Sequence, residues 1–265
     1  MMKKILQISF WLIILAGIIV IFGFAVSEQK KTVCSGLVIN LKDAEQPGFI
    51  YEKDVRAIIS QLYPSLRGKI LDSLNTAAIT KELNRSPYLK NPIVVKTLNG
   101  LIKIQLERTE ALVRVVNSKG DSFYLSKEGY VMPISRNYIP KTLIVTGHIY
   151  DSPNPYDKLI YNVNGGTASK KSILNKIFFL AETIINHSVF NQSIDQIYVT
   201  DCNEFEMVPS SGDHIILLGD VENLNHKLEN LNAFYQAGIS KLEEGEYKIF
   251  DLRFKDQVVC KKLMP

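Results

Sequence analysis

Residues 91–108 read NPIVVKTLNGLIKIQLER, two apolar arms on either side of Asn99-Gly100. Asn-Gly is the dipeptide of a two-residue type I′ turn, because both central residues of that turn take positive φ. Folding the arms there sets Thr97 opposite Ile102, Val95 opposite Ile104 and Ile93 opposite Leu106. These pairs give both arms one apolar face and leave Lys96 and Lys103 on the other. The sequence predicts a β-hairpin whose register is set by turn and pattern together.

Upstream of the hairpin, LVINL at 37–41 reads as a short strand. Val55, Ile58, Ile59 and Leu62 then recur at i, i+3, i+4 and i+7, one apolar face of a helix. Pro64 discourages its continuation beyond Leu62. A second helix starts after Asn75, a good N-cap, with Leu74 and Ile79 at the N′ and N4 positions of a hydrophobic staple. Ile79 and Leu83 supply its buried face and Pro87 helps to end it. The order strand, helix, helix, strand, strand makes a small domain over residues 33–108, with both helices on one face of three strands.

Residues 109–265 are richer in strands. ALVRVV at 111–116, SFYL at 122–125, TLIVTGHI at 142–149, QIYVT at 196–200, FEMV at 205–208 and HIILL at 214–218 all read as strands. One helix covers 170–187, with Ile173, Ile177, Ala181 and Ile184 on its apolar side. Another follows Asp220, with Leu224, Leu228, Leu231 and Tyr235 facing the core. The expected fold class is α+β throughout.

Residues 5–26, ILQISFWLIILAGIIVIFGFAV, carry no charge and are long enough to cross a bilayer as one helix. The run exceeds the roughly 7–15 apolar residues of a cleaved signal peptide. We expect a cytoplasmic tail at 1–4 and a single membrane helix. Lys3 and Lys4 with the α-amino group set against Lys30 and Lys31 favour a cytoplasmic N-terminus only slightly.

The chain has 265 residues and a formal net charge of +4, from 31 basic and 27 acidic side chains. The two signs interleave, whereas a nucleic-acid reader concentrates its Lys and Arg. Four His and three Cys are scattered without C-x-x-C or H-x-x-x-H spacing, which argues against zinc. Residues 159–172, LIYNVNGGTASKKS, imitate a phosphate loop, but Lys170 stands where close approach to phosphate needs glycine. The bland reading is a loop into a helix capped by Thr167 or Ser169. There is no G-x-S-x-G nucleophile elbow. Cys202 and Cys260 can pair only if their strands are neighbours, and an odd cysteine count favours free thiols. The reading is therefore non-enzymatic, with no cofactor, no metal and no small-molecule substrate.

Residues 247–262, YKIFDLRFKDQVVCKK, read as one long closing strand. Phe250, Leu252, Phe254, Val258 and Cys260 share one parity, and Asp251, Arg253, Lys255 and Gln257 the other. That is a strand with a buried and a wet face. Asp256 breaks the pattern and marks a bulge or bend. A closing strand exposes an unpaired edge, which charges such as Lys255, Lys261 and Lys262 blunt and which a partner strand can extend.

One apolar span, the β-α-α-β-β module and a β-rich module ending in DLRFKDQVV together resemble the FtsQ/DivIB family of cell division proteins. ERTEALVRV, YLSKEGYVMPIS, LIVTGHI, LLGDVENLNHKLENLNAFYQ and YKIFDLRF carry the resemblance through the second half. Glu110 stands where the family often has the proline of R-x-P, and Phe254 where it often has tyrosine. The resemblance implies a POTRA-type domain at 33–108, then a β domain at 109–265 whose closing strand docks FtsB- and FtsL-like bitopic proteins, with other divisome proteins as further partners. It implies an inner-membrane protein with periplasmic domains, enriched at the septum. Arg253, Phe254, Lys255, Asp256, Gln257, Val258 and Val259 would fall in the docking strand, with Lys227 as a neighbouring ion-pair donor. Rival readings are a POTRA-bearing protein of secretion or outer-membrane assembly, and a membrane-anchored cell-wall hydrolase.

Overall fold

The computed structural model describes residues 10–11, 14–20, 32–154, 157, 172–237 and 247–262. The chain divides into two compact units, Met1–Arg108 and Thr109–Pro265. Much of the apolar run 5–26 lies outside the described residues. Residues 10–11 and 14–20 are helical, and no helix among the described residues is long and apolar enough to cross a membrane.

The first unit contains β1 (Gly36–Leu41), α1 (Glu52–Leu62), α2 (Thr76–Leu83), β2 (Leu89–Lys96) and β3 (Leu101–Arg108). β3 is central, parallel to β1 and antiparallel to β2. Ile102, Ile104 and Leu106 alternate into the core, where they meet Val55 and Ile59 of α1 and Ile79 and Leu83 of α2. α1 stops at Leu62, two residues before Pro64. The N-cap of α2 is Asn75, whose Oδ1 accepts the Ala78 N–H at 3.0 Å.

The hairpin forms, but one residue out of the predicted register. Val94 lies opposite Ile104 and Lys96 opposite Ile102. The loop therefore holds three residues, Leu98, Asn99 and Gly100. The Thr97 N–H donates to the Leu101 carbonyl at 2.8 Å, and the Thr97 Oγ1 bonds both backbone groups of Leu101. Only Gly100 takes positive φ, at 78°, the arrangement in which a type I turn runs into a left-handed residue. An odd loop inverts the parity of one arm, so Val94 faces the core while Ile93 and Val95 are exposed. Ile93, Val94 and Val95 are all apolar, and their pattern alone suits either face.

The second unit contains β4 (Ala111–Val116), β5 (Ser122–Ser126), β6 (Val131–Pro133), β7 (Leu143–Gly147), α3 (Ile173–Asn186), β8 (Ile194–Val199), β9 (Phe205–Pro209), β10 (Ile215–Gly219), α4 (Leu224–Ala237), β11 (Ile249–Asp251) and β12 (Val259–Lys261). They form one sheet in the order β12-β11-β10-β9-β8-β7-β4-β5-β6. The crossovers β7–α3–β8 and β10–α4–β11 each join parallel neighbours and move in the same direction across the sheet. Right-handed connections then put both helices on one face. Leu174, Ile177 and Ala181 of α3 and Leu224, Leu228 and Leu231 of α4 do feed a single core with Val113, Val145, Ile197 and Met207. The N-cap of α3 is Ser172, which makes no side-chain capping bond. The phosphate-loop imitation at 159–171, with Thr167 and Ser169, lies outside the described residues.

The closing segment is not one strand. Residues 252–258 leave the sheet between β11 and β12, and the chain returns antiparallel, with Phe250 opposite Cys260. Asp256, the residue that breaks the alternation, takes φ 59° in the connection. It is where the chain reverses.

Candidate functional site: the C-terminal ribbon and its cleft

The site is built on the end of the sheet. β10 supplies the inner neighbour of β11, and β12 covers the outer side of β11. β12 has a partner on its inner side only, among the described residues. An edge strand directs every second N–H and C=O outward, where another chain can meet them.

A buried carboxylate locks this ribbon. Asp251 on β11 is fully buried, although its parity predicts a wet face. Arg253 forks onto it, Nε to Oδ1 at 2.9 Å and Nη2 to Oδ2 at 2.9 Å. Lys261 on β12 reaches the same Oδ2 at 2.8 Å. Arg253 continues to Glu204, just before β9, at 3.3 Å. The Arg253 guanidinium above all, then Lys261 and the Arg253 N–H, outweigh burial and hold the Asp251 carboxyl well below the usual carboxylate range. The same fork pushes the Arg253 pKa up. Gly219 makes room for the fork, since a Cβ there would stand 2.8 Å from the Arg253 Cγ, and its φ is 73°.

Beyond Arg253 the connection turns outward. The Leu252 N–H still donates to the Leu217 carbonyl at 2.9 Å, while residues 253–257 are exposed. Phe254 is 46% exposed, a large apolar side chain with little cover. Across from it stands the first half of α4. An open cleft of about 600 Å³ lies between them, lined by Glu222, Asn223, His226 and Asn230 on one side and by residues 252–256 on the other. His226 Nε2 and Asp256 Oδ1 approach to 3.4 Å across its mouth.

The predicted site residues do not share one role. Arg253, Phe254, Lys255 and Asp256 line the cleft. Gln257 is exposed in the same connection, Val258 packs on the core, and Val259 opens β12. Lys227 also borders the cleft, but its ammonium donates to the Leu218 carbonyl at 3.1 Å, the Asp220 carbonyl at 2.9 Å and Asp220 Oδ1 at 2.8 Å. An ammonium has three protons, so Lys227 pins the β10–α4 turn and has none left for a partner. Burial opposes ionisation of Asp220, yet the Lys227 contact keeps its carboxyl below the ordinary value. Sequence reading missed Asp251, Lys261 and Gly219. The signal available was an acid two residues before an arginine, with a lysine ten residues on. Cys202, in the turn between β8 and β9, and Cys260, on β12, are free thiols, and β9 and β12 are not neighbours.

This fold and ribbon define a class of protein: a small β-α-α-β-β module followed by a unit with one mixed sheet, whose last strand is paired on one side only among the described residues. Residues 32–107 match the POTRA-like domain, and residues 110–261 match the FtsQ/DivIB, C-terminal related family. The chain belongs to the FtsQ/DivIB family. It is also 25% identical over 202 residues to "Cell division protein FtsQ" of Rhodothermus marinus, an alignment covering 74% of this chain and 68% of that protein.

Proposed function

We propose that the chain is a non-enzymatic scaffold of the cell division machinery. Residues 5–26 anchor it once in the inner membrane, with the N-terminus cytoplasmic and residues 33–108 and 109–265 periplasmic. The β12 edge and the adjoining connection dock FtsB- and FtsL-like bitopic partners and so link the division ring to septal peptidoglycan synthesis. Family membership and the similarity to a cell division protein support the cell division role. The observation that carries the docking mode is the open flank of β12.

Strand addition draws affinity from main-chain hydrogen bonds and specificity from neighbouring side-chain pockets. Here the edge is short, three residues, so main-chain pairing alone is weak and the cleft beside it has to contribute. Phe254 is the natural anchor for an apolar partner side chain, because an aromatic ring that a partner buries inside a ring of polar groups dominates such contacts. Lys261, usually a charge that would blunt an edge, is neutralised by Asp251.

Co-purification of the full chain with FtsB- and FtsL-like proteins tests this. Phe254→Asp should reduce capture at least about tenfold, a change of about 1.4 kcal/mol. Of the two prolines, at Val259 and at Cys260, the one that removes the outward N–H should do the same, while the other removes a donor of the β11–β12 ladder. Circular dichroism confirms that the variants stay folded. Undiminished capture by all three folded variants rejects the docking mode. Depletion separates the wider readings: long undivided cells support division, and accumulated unfolded outer-membrane proteins support the assembly alternative.

A further inference from the structure

The first unit has an apolar pole that the docking ribbon does not use. Three segments converge there. Val33 bridges to Ile70. The Ser35 N–H donates to the Gly100 carbonyl at 2.8 Å, and the Leu71 N–H to the Thr32 carbonyl at 2.8 Å. The hairpin tip, the start of the described unit and residues 67–71 thus form one end of the fold. Three large apolar side chains point away from the core at this end: Leu98 is 80% exposed, Val33 53% and Ile70 51%.

We infer that this pole, Val33, Ile70 and Leu98 with Arg67 and Lys69, rests on the surface of an anionic lipid bilayer. The inference depends on the reading of residues 5–26 as the anchor. Tether length selects the occupant. Only residues 27–31 separate the apolar run from Thr32, and six extended links reach about 20 Å. β1 alone, six residues from Gly36 to Leu41, is about 20 Å long. The tether can hold the Val33 pole at the headgroups easily, but would have to be fully drawn out to present the far end of β1. Tethering also raises the local concentration of lipid, so a small contact is enough.

Charge agrees with that orientation. Arg67, Lys69 and Lys96 lie at the tethered pole against one acid, Asp72, which Lys96 approaches to 4.0 Å. The Arg67 Nε bonds the Ser35 carbonyl at 3.0 Å and the Lys69 ammonium stands 5.2 Å from the Tyr63 ring centroid, so both stems are held at this end. The opposite loop carries Lys42 with Asp43 and Glu45. Basic side chains beside exposed apolar ones are what an anionic membrane surface attracts.

The test uses the full chain in vesicles of phosphatidylcholine, with or without phosphatidylglycerol. Flotation reports anchoring, and amide hydrogen exchange reports the pole. In the mixed vesicles the amides of 97–101 and 67–71 should exchange about tenfold more slowly than in phosphatidylcholine alone, while those of 42–46 do not change. Leu98→Asp should abolish the protection, and the double variant Arg67→Gln, Lys69→Gln should remove its dependence on phosphatidylglycerol. Flotation with an unprotected pole overturns the inference and leaves anchoring intact. Failure to float removes both. Protection that appears only when a second protein is added overturns it in favour of a protein contact.

Discussion

Two of the hairpins, β2–β3 and β11–β12, are held by different physics. β2–β3 is closed by its backbone: three loop residues, one glycine at positive φ, and Thr97 bonded twice to Leu101. β11–β12 has a seven-residue connection, residues 252–258, and is closed by a buried carboxylate that grips Arg253 and Lys261. The first puts its returning strand in the centre of a sheet, the second at the edge. A turn that fixes register suits a strand paired on both sides. A charge clamp leaves the connection free to expose Phe254 and line a cleft. The difference is between a hairpin whose loop is bonded to itself and one whose connection stays exposed.

The sharpest way to break the second hairpin is Asp251→Asn. It removes the shared charged acceptor of two cations, leaving Arg253 with Glu204 alone and Lys261 without its carboxylate. Breaking a fully buried pair costs 3–5 kcal/mol; Arg253 and Lys261 remain partly solvated, so about 2–3 kcal/mol is expected by urea unfolding. The carboxyl pKa is lowered on folding. Its contribution is therefore present above the unfolded value near 4 and is lost as pH falls below it. The wild type should lose stability below about pH 4, and Asp251→Asn should flatten that part of the profile. An equal acid slope in both proteins would mean that Asp251 does not clamp the ribbon.

The first hairpin breaks at Gly100 instead. A Cβ there would stand 2.6 Å from the Val33 carbonyl oxygen, and φ is 78°. Gly100→Ala should cost about 2 kcal/mol, from the left-handed strain and the contact together. Asn99→Ala sharpens the comparison with the sequence reading. In a two-residue type I′ turn Asn99 needs positive φ and its loss hurts. In the observed loop only Gly100 does, so Asn99→Ala should change stability by less than about 0.5 kcal/mol. Equal losses at both positions would restore the predicted register.

Both hairpins show what a sequence pattern can and cannot settle. Helix faces were legible because Val55 and Ile59, or Leu224, Leu228 and Leu231, repeat at a period that no strand shares. Asn75 was legible as a cap because its side chain acts locally. Register in β2 was not, since Ile93-Val94-Val95 suits either face. The closing hairpin was hidden by parity. Phe250 faces Cys260 and Asp251 faces Val259, pairs of equal parity, so the two arms alternate just as a straight strand does. Within the candidate site, Arg253 to Asp256 were named from the family-like segment, and they line the cleft. The Asp251 clamp left only the spacing of an acid, an arginine and a lysine in the sequence, and it and the inward commitment of Lys227 are decided by strand pairing and turn geometry.

The mildest probe of the comparison is Asp256, which does for the second hairpin what glycine does for the first. Left-handed backbone costs an L-residue about 1–2 kcal/mol, less for Asp, whose short side chain bonds locally. Glycine removes that strain but costs about 0.5–1 kcal/mol in unfolded-chain entropy. The contact to His226 is exposed on both sides and contributes less than about 0.5 kcal/mol. The terms nearly cancel, so Asp256→Gly should leave stability within about 0.5 kcal/mol of wild type. Asp256→Val keeps the strain and loses the tolerance, and should cost more than about 1 kcal/mol. Because residues 253–257 are exposed rather than packed, that loss should appear mainly as faster amide exchange in the connection and at β12, with the rest of the sheet unchanged. If valine is accepted as readily as glycine, the reversal at Asp256 is soft, and the connection is held open by Arg253 and Val258 on either side of it.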